Sequence, residues 1–80
     1  MYKITLENLN KLLRDNKQKQ FLTALQELAK ERIGMTALAD KISNTRQSLY
    51  HALSKQGNPE LSTFLGVIDA LGLKLVIEEK

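Results

Sequence analysis

The sequence predicts an all-α domain of five helices followed by one short C-terminal β-strand. Three observations predict it. Apolar residues recur at helical spacing along most of the chain, sharp polar or glycine-containing breaks separate those runs, and only residues 73–78 are rich in β-formers. With 80 residues the chain holds one domain, 1–80, because a second would lack a core of its own.

Thr5 is placed to cap a first helix, whose stripe is Leu6, Leu9, Leu12 and Leu13. Asp15 gives a second start signal, with Gln18 three residues on as its capping-box partner. Phe21, Leu22, Leu25, Leu28 and Ala29 then fall at i, i+1, i+4, i+7 and i+8, the clearest amphipathic helix in the chain. It should stop near Arg32-Ile33, where Gly34 tolerates the backbone turn that ends a helix. A helix of about seven residues is expected from Thr36, then a break at Ser43-Asn44. Thr45 suits the N-cap of the next helix, its hydroxyl accepting from the N–H of Gln47 or Ser48. That helix is expected to reach Ser54 or Lys55, where Gln56-Gly57-Asn58-Pro59 stops it. Ser62 is read as the cap of a last helix with Phe64, Leu65, Ile68 and Leu71 as its buried stripe, ended by Gly72. The tail places Leu73, Leu75 and Ile77 on one strand face, and no other stretch reads as a strand. Pairing with the same strand of a second copy is therefore the expected use of it.

Composition narrows the function. There is no cysteine, and one histidine, His51, cannot build a metal site alone, so no metal or cofactor is expected. The N-terminal residues lack the apolar core of a signal peptide. No apolar run approaches the roughly 20 residues that cross a bilayer, so a cytoplasmic protein without membrane contact is expected. The net charge of +3 is only mildly basic, but it is polarised. Lys41, Arg46 and Lys55 against Asp40 make the region 35–55 basic by two charges, and residues 58–80 are acidic by two. Such polarity orients a small domain on a phosphate backbone. Lys17, Lys19, Lys30 and Arg32, diluted by Glu27 and Glu31, read most simply as a solvated helix face. No acid–base pair or phosphate-cradling loop can be assembled, so no catalytic residue is expected and the chain is not read as an enzyme.

The region 35–55 organises the rest. Leu38, Ala39, Ile42, Leu49, Ala52 and Leu53 let two short helices share a small core across a tight break, the physical description of a helix-turn-helix. At about 100° per residue, Arg46 at zero puts Tyr50 near 40°, Gln47 near 100° and His51 near 140°, with Leu49, Ala52 and Leu53 on the other arc. Arg pairs with guanine O6 and N7 and Gln with adenine N6 and N7. Tyr50 and His51 can touch a phosphate, a base edge or a thymine methyl. The candidate DNA-binding residues are Thr36, Thr45, Arg46, Gln47, Tyr50 and His51, addressing a double-stranded operator.

Met35-Thr36-Ala37-Leu38-Ala39, the run from Arg46 to Ser54, Gly57-Asn58-Pro59 and Ala70-Leu71-Gly72-Leu73 resemble the addiction-module antidote proteins. These are HigA-like antitoxins related to the Cro and phage-repressor helix-turn-helix fold. The resemblance covers about residues 21–75. It implies a five-helix, lambda-repressor-like domain, a homodimer, a palindromic operator in its own operon, and neutralisation of a small RelE- or HigB-like toxin. Relatives usually carry glycine where this chain has Ser43, so Asn44 becomes a second candidate for the left-handed residue and the turn register stays open by one residue between Ser43 and Asn44. The N-terminal segment is also shorter than in many relatives. Two alternatives stay beside the antitoxin: a stand-alone or phage-type repressor sharing this domain, and a protein-binding module with little DNA role that uses the Leu6 to Leu13 stripe or the C-terminal strand.

Overall fold

The apolar runs fold as helices wherever their spacing allows one face to be buried. In the computed structural model, which describes residues 6–79, these are α1 (Leu6–Arg14), α2 (Gln18–Arg32), α3 (Met35–Lys41), α4 (Arg46–Ala52) and α5 (Leu61–Ala70). Thr5, the expected cap of α1, lies outside the described residues.

The stripe of α2 is the centre of the core. Phe21, Leu22, Leu25, Leu28 and Ala29 are all buried, with Ala24 beside them. Leu38, Leu49, Leu53 and Val67 bring α3, the end of α4 and α5 onto the same cluster. Each such side chain contributes about 1.5–3 kcal/mol when fully buried. Phe21 and Phe64 meet edge to face at 5.9 Å and 63°, joining α2 to α5. In α5, Gly66 leaves room for the Ile42 γ-methyl, since an added Cβ would sit 3.3 Å from it. The stripe of α1 is thinner than expected. Only Leu9 is buried, Leu12 is partly covered, and Leu6 and Leu13 remain exposed.

The helix ends correct several expectations, and one device accounts for most of them. Asn16 takes φ 56°, its N–H donates to the Leu13 carbonyl at 3.2 Å, and the Lys17 N–H donates to Leu12 at 2.9 Å. This pair of bonds is a Schellman closure of α1. It leaves Asp15 still bonded helically to Lys11 at 3.0 Å, so Asp15 cannot start α2. The N-cap of α2 is Lys17, without a side-chain bond, and the expected Asp15–Gln18 capping box is absent.

The same closure ends α3. Ser43 takes φ 54° and donates to Asp40 at 3.3 Å, while Asn44 donates to Ala39 at 2.9 Å. The left-handed residue is therefore Ser43, which fixes the register of the turn. The Asn44 side chain does other work, its Oδ1 accepting from the Thr45 N–H at 2.9 Å. A non-glycine residue in this conformation costs about 1–2 kcal/mol, and glycine returns part of that as unfolded-chain entropy. Ser43 is exposed, and its hydroxyl makes no hydrogen bond among the described residues that glycine would forfeit. Ser43→Gly is thus expected to stabilise the protein by about 0.5–1 kcal/mol. A urea titration that shows no rise in midpoint would refute it.

Helix α4 stops at Ala52, short of Ser54. Its last turn tightens, with Ser54 N–H to the His51 carbonyl at 3.2 Å and Gly57 N–H to Ser54 at 3.0 Å. Helix α5 begins at Leu61, so Ser62 lies inside it and is not the cap. Glu60 follows Pro59 in an extended conformation (φ −61°, ψ 151°), and its carbonyl accepts from Phe64 at 3.0 Å to close the first turn. The buried phase is Val67, Ile68 and Leu71 with Phe64 partly covered, the i, i+3, i+4, i+7 pattern from Phe64. Leu65, expected inside, is 45% exposed. Gly72 ends α5 as anticipated, at φ 74° with Leu73 N–H on the Ile68 carbonyl at 3.0 Å.

The described residues contain no strand, so the expected strand over 73–78 is not formed within one chain. The tail has no neighbouring strand to take its backbone groups. Leu73 and Leu75 turn toward a groove with Leu6, Leu9 and Ile68, but Ile77 is 98% exposed and does not share their surroundings. No helix among the described residues is long and apolar enough to cross a membrane.

Candidate nucleic-acid interface

Two short helices and a tight turn present the candidate site. Thr45 is extended (φ −88°, ψ 151°), and its hydroxyl oxygen accepts from the Ser48 N–H at 3.1 Å, which starts α4 where the sequence placed it. An N-cap of this kind contributes about 1 kcal/mol. With the start fixed, the phase of α4 follows. Leu49 and the following Leu53 are wholly buried, and Arg46, Gln47 and His51 are exposed. Thr45 is exposed at the cap, and Thr36 is exposed one residue into α3. Gly34 carries the chain directly from α2 into α3, accepting the Leu38 N–H at 3.0 Å.

Tyr50 differs from its neighbours on this face. It is half-buried and packs against the core cluster. The Arg46 guanidinium carbon lies 5.5 Å from its ring centroid, and so does the Lys30 ammonium of α2. Lys30 also pairs with Glu27 at 3.6 Å, an exposed contact of small energy. The candidate face therefore gains a cation from outside the two short helices.

A second residue of α2 reaches this site. The Gln26 side-chain amide donates to the main-chain carbonyls of Tyr50, at 3.4 Å, and Leu53, at 3.3 Å. These are carbonyls of the last turn of α4, left without intrahelical partners by the helix end. Gln26 thus ties that end to α2. Arg32 ties α5 to α2 in the same manner, donating to the Leu71 carbonyl at 3.1 Å. Neither Gln26 nor Lys30 stood out as a site residue in the sequence. A glutamine that serves main-chain carbonyls 24 and 27 residues away leaves no local signal, and Lys30 looks like any lysine on a solvated face.

The site as built is a polar helix face of arginine, glutamine and histidine, held rigidly from behind by Leu49, Leu53 and Gln26. It can donate hydrogen bonds to acceptors on a flat or grooved partner. A separate apolar groove of about 410 Å³ lies between the α1–α2 junction and the start of α5, with Leu12, Leu13, Phe21, Pro59 and Phe64 among its walls.

A family model described as "Probable addiction module antidote protein" matches residues 2–79. The chain belongs to this family. An addiction-module antidote implies a toxin as its partner. A protein of Haemophilus influenzae described as uncharacterized is similar to this antidote, 34% identical over 71 residues that cover 89% of this chain and 72% of its own length. No solved structure matches the antidote.

Proposed function

We propose that this antidote is a DNA-binding antitoxin that neutralises a RelE- or HigB-like toxin and represses its own operon. It acts by binding alone, in the cytoplasm, without catalysis or cofactor. The observation that carries the DNA half is the sorting of α4: Leu49 and Leu53 wholly buried, Arg46, Gln47 and His51 exposed, behind a capped start. A helix so arranged after a short helix and tight turn suits the major groove, where its first residues reach base edges. Family membership supports the toxin half, and the exposed Leu13 and Leu61 give the molecule apolar surface away from α4 for a protein partner.

The test is a mobility-shift titration against the duplex upstream of the antidote's own gene. Arg46→Ala and Gln47→Ala are each expected to weaken specific binding by about 1–3 kcal/mol, roughly five- to 150-fold, at fixed salt. Unchanged affinity in both variants would remove α4 as the reading helix. Co-expression with the neighbouring gene product separates the antitoxin from a stand-alone repressor, because only the antitoxin forms a stable complex without DNA.

Operator reading by two copies needs a dimer, and the tail supplies a basis for it. Leu75, Val76 and Ile77 are exposed in the single chain at the only β-rich stretch. Antiparallel pairing with a second tail would satisfy backbone groups that one chain leaves open. Two recognition helices would then address half-sites about 34 Å apart. Sedimentation should show a dimer that is lost on truncation after Gly72; monomers in both cases would end the pairing scheme.

A further inference from the structure

Arg46 does not project from α4 as a free side chain. It sits four residues before Tyr50, on the same helix face, with its guanidinium carbon 5.5 Å from the Tyr50 ring centroid. A cation over a ring within about 6 Å is attracted by the ring's negative face. The ring is itself held in place. Tyr50 packs against the core, its carbonyl accepts from Gln26 at 3.4 Å, and Lys30 of α2 occupies a second position at 5.5 Å from the same ring. Two cations converge on one half-buried aromatic ring, one from its own helix and one from α2.

We infer that Tyr50 is the positioning residue for Arg46, a fixed platform that sets the direction of the guanidinium, and is not itself a base reader. The inference deepens the DNA-binding reading and rests on it. A free arginine surrenders most of its rotamer freedom when it forms a bidentate contact, and a planar fork must arrive in the right plane. The place of Arg46 over the Tyr50 ring restricts that freedom before any DNA is present. Specificity at the base pair read by Arg46 then depends on a residue that makes no base contact. Lys30 brings α2 into the arrangement, its ammonium lying 5.5 Å from the same ring centroid.

Two measurements test it. In the free protein, NMR should show the Arg46 side-chain protons shifted upfield by the ring current. The shift is retained in Tyr50→Phe, which keeps the aromatic face, and lost in Tyr50→Leu. Absence of the shift in the unmodified protein overturns the inference without reference to how any variant folds. Selection from a randomised duplex pool supplies the functional readout. The unmodified protein should enrich a motif containing one position whose preference disappears in Arg46→Ala. Tyr50→Phe should keep that preference. Tyr50→Leu should reduce it about two- to fivefold, leaving the other positions and the salt dependence as they were. A preserved preference in Tyr50→Leu, a position lost in Tyr50→Phe, or a motif with no Arg46-dependent position overturns the platform while the DNA-binding reading stands. A pool from which the unmodified protein enriches nothing overturns both.

Discussion

Leu49→Ala is expected to cost about 2–5 kcal/mol of folding stability. Leu49 is wholly buried, with Leu38, Leu53 and Val67 equally enclosed in the same cluster, so the lost methyl groups leave a cavity that several helices would have to collapse to fill. A domain of this size has roughly 4–12 kcal/mol in total, and the loss is a large fraction of it. With an m-value near 1 kcal/mol per molar urea, the midpoint should fall by about 2 M or more. Leu49→Met, which conserves volume, is expected to cost less than about 1.5 kcal/mol. A midpoint that barely moves in Leu49→Ala would show that α4 is not held by its inner face. The substitution lies opposite the polar face, so any loss of DNA binding should follow the loss of folded protein.

Gly57→Ala is the second large effect. Gly57 is buried although it lies in a loop, and a Cβ there would collide with the carbonyl oxygens of His51 and Ala52. These are main-chain atoms at the end of α4, so no side-chain rotation relieves the clash. Either the 54–60 loop moves outward or the last turn of α4 unwinds. Overpacking of this kind costs about 1–3 kcal/mol, occasionally more. At Gly34 the cause is different. A Cβ there meets nothing within 4 Å, and the cost comes only from its φ of 88°. Thermal melts should place Gly57→Ala at least as low as Gly34→Ala. Gly57→Ala should also loosen the last turn of α4, read as faster exchange of the Leu53 amide, which donates to the Leu49 carbonyl. Equal stability to the unmodified protein would mean the close approach is not maintained in solution.

The sequence was most legible where one physical signal acted alone. The α2 stripe has five apolar residues in phase, and all five are buried. The Thr45 cap had a hydroxyl at the right place and an apolar phase behind it, and both are present. Legibility failed where two signals competed for one residue. Asp15 had the chemistry of a cap, but the left-handed turn at Asn16 kept it inside α1's last hydrogen bonds. Ser62 had cap chemistry too, and Pro59 with Glu60 began the helix ahead of it. Phe64, Ile68 and Leu71 kept the expected phase of α5, but Phe64-Leu65 offered two apolar neighbours for one inward position, and Leu65 is exposed while Val67 is buried. The support from Gln26 was hidden for a further reason: its partners are carbonyls, which every residue has. The polar face of α4 was readable as a face, whereas the tie between Arg46, Tyr50 and Lys30 required α2 and α4 to be seen together.

The placement of α5 has a consequence for how the chain is made. Helices α1 to α4 come first in the sequence, and the pairs α1–α2 and α3–α4 are neighbours in space as well. Yet Val67, Ile68 and Leu71 close the shared core, and Arg32 finds its carbonyl only at Leu71. A chain still short of Leu61 carries the whole polar face of α4 and lacks the lid on its core. Synthesis of the ten residues of α5 takes roughly 0.5–2 s at about 5–20 residues per second. A helical domain rich in local contacts folds in about microseconds to milliseconds. Completion of the fold therefore waits on the ribosome, and a nascent chain closes its core only as α5 arrives.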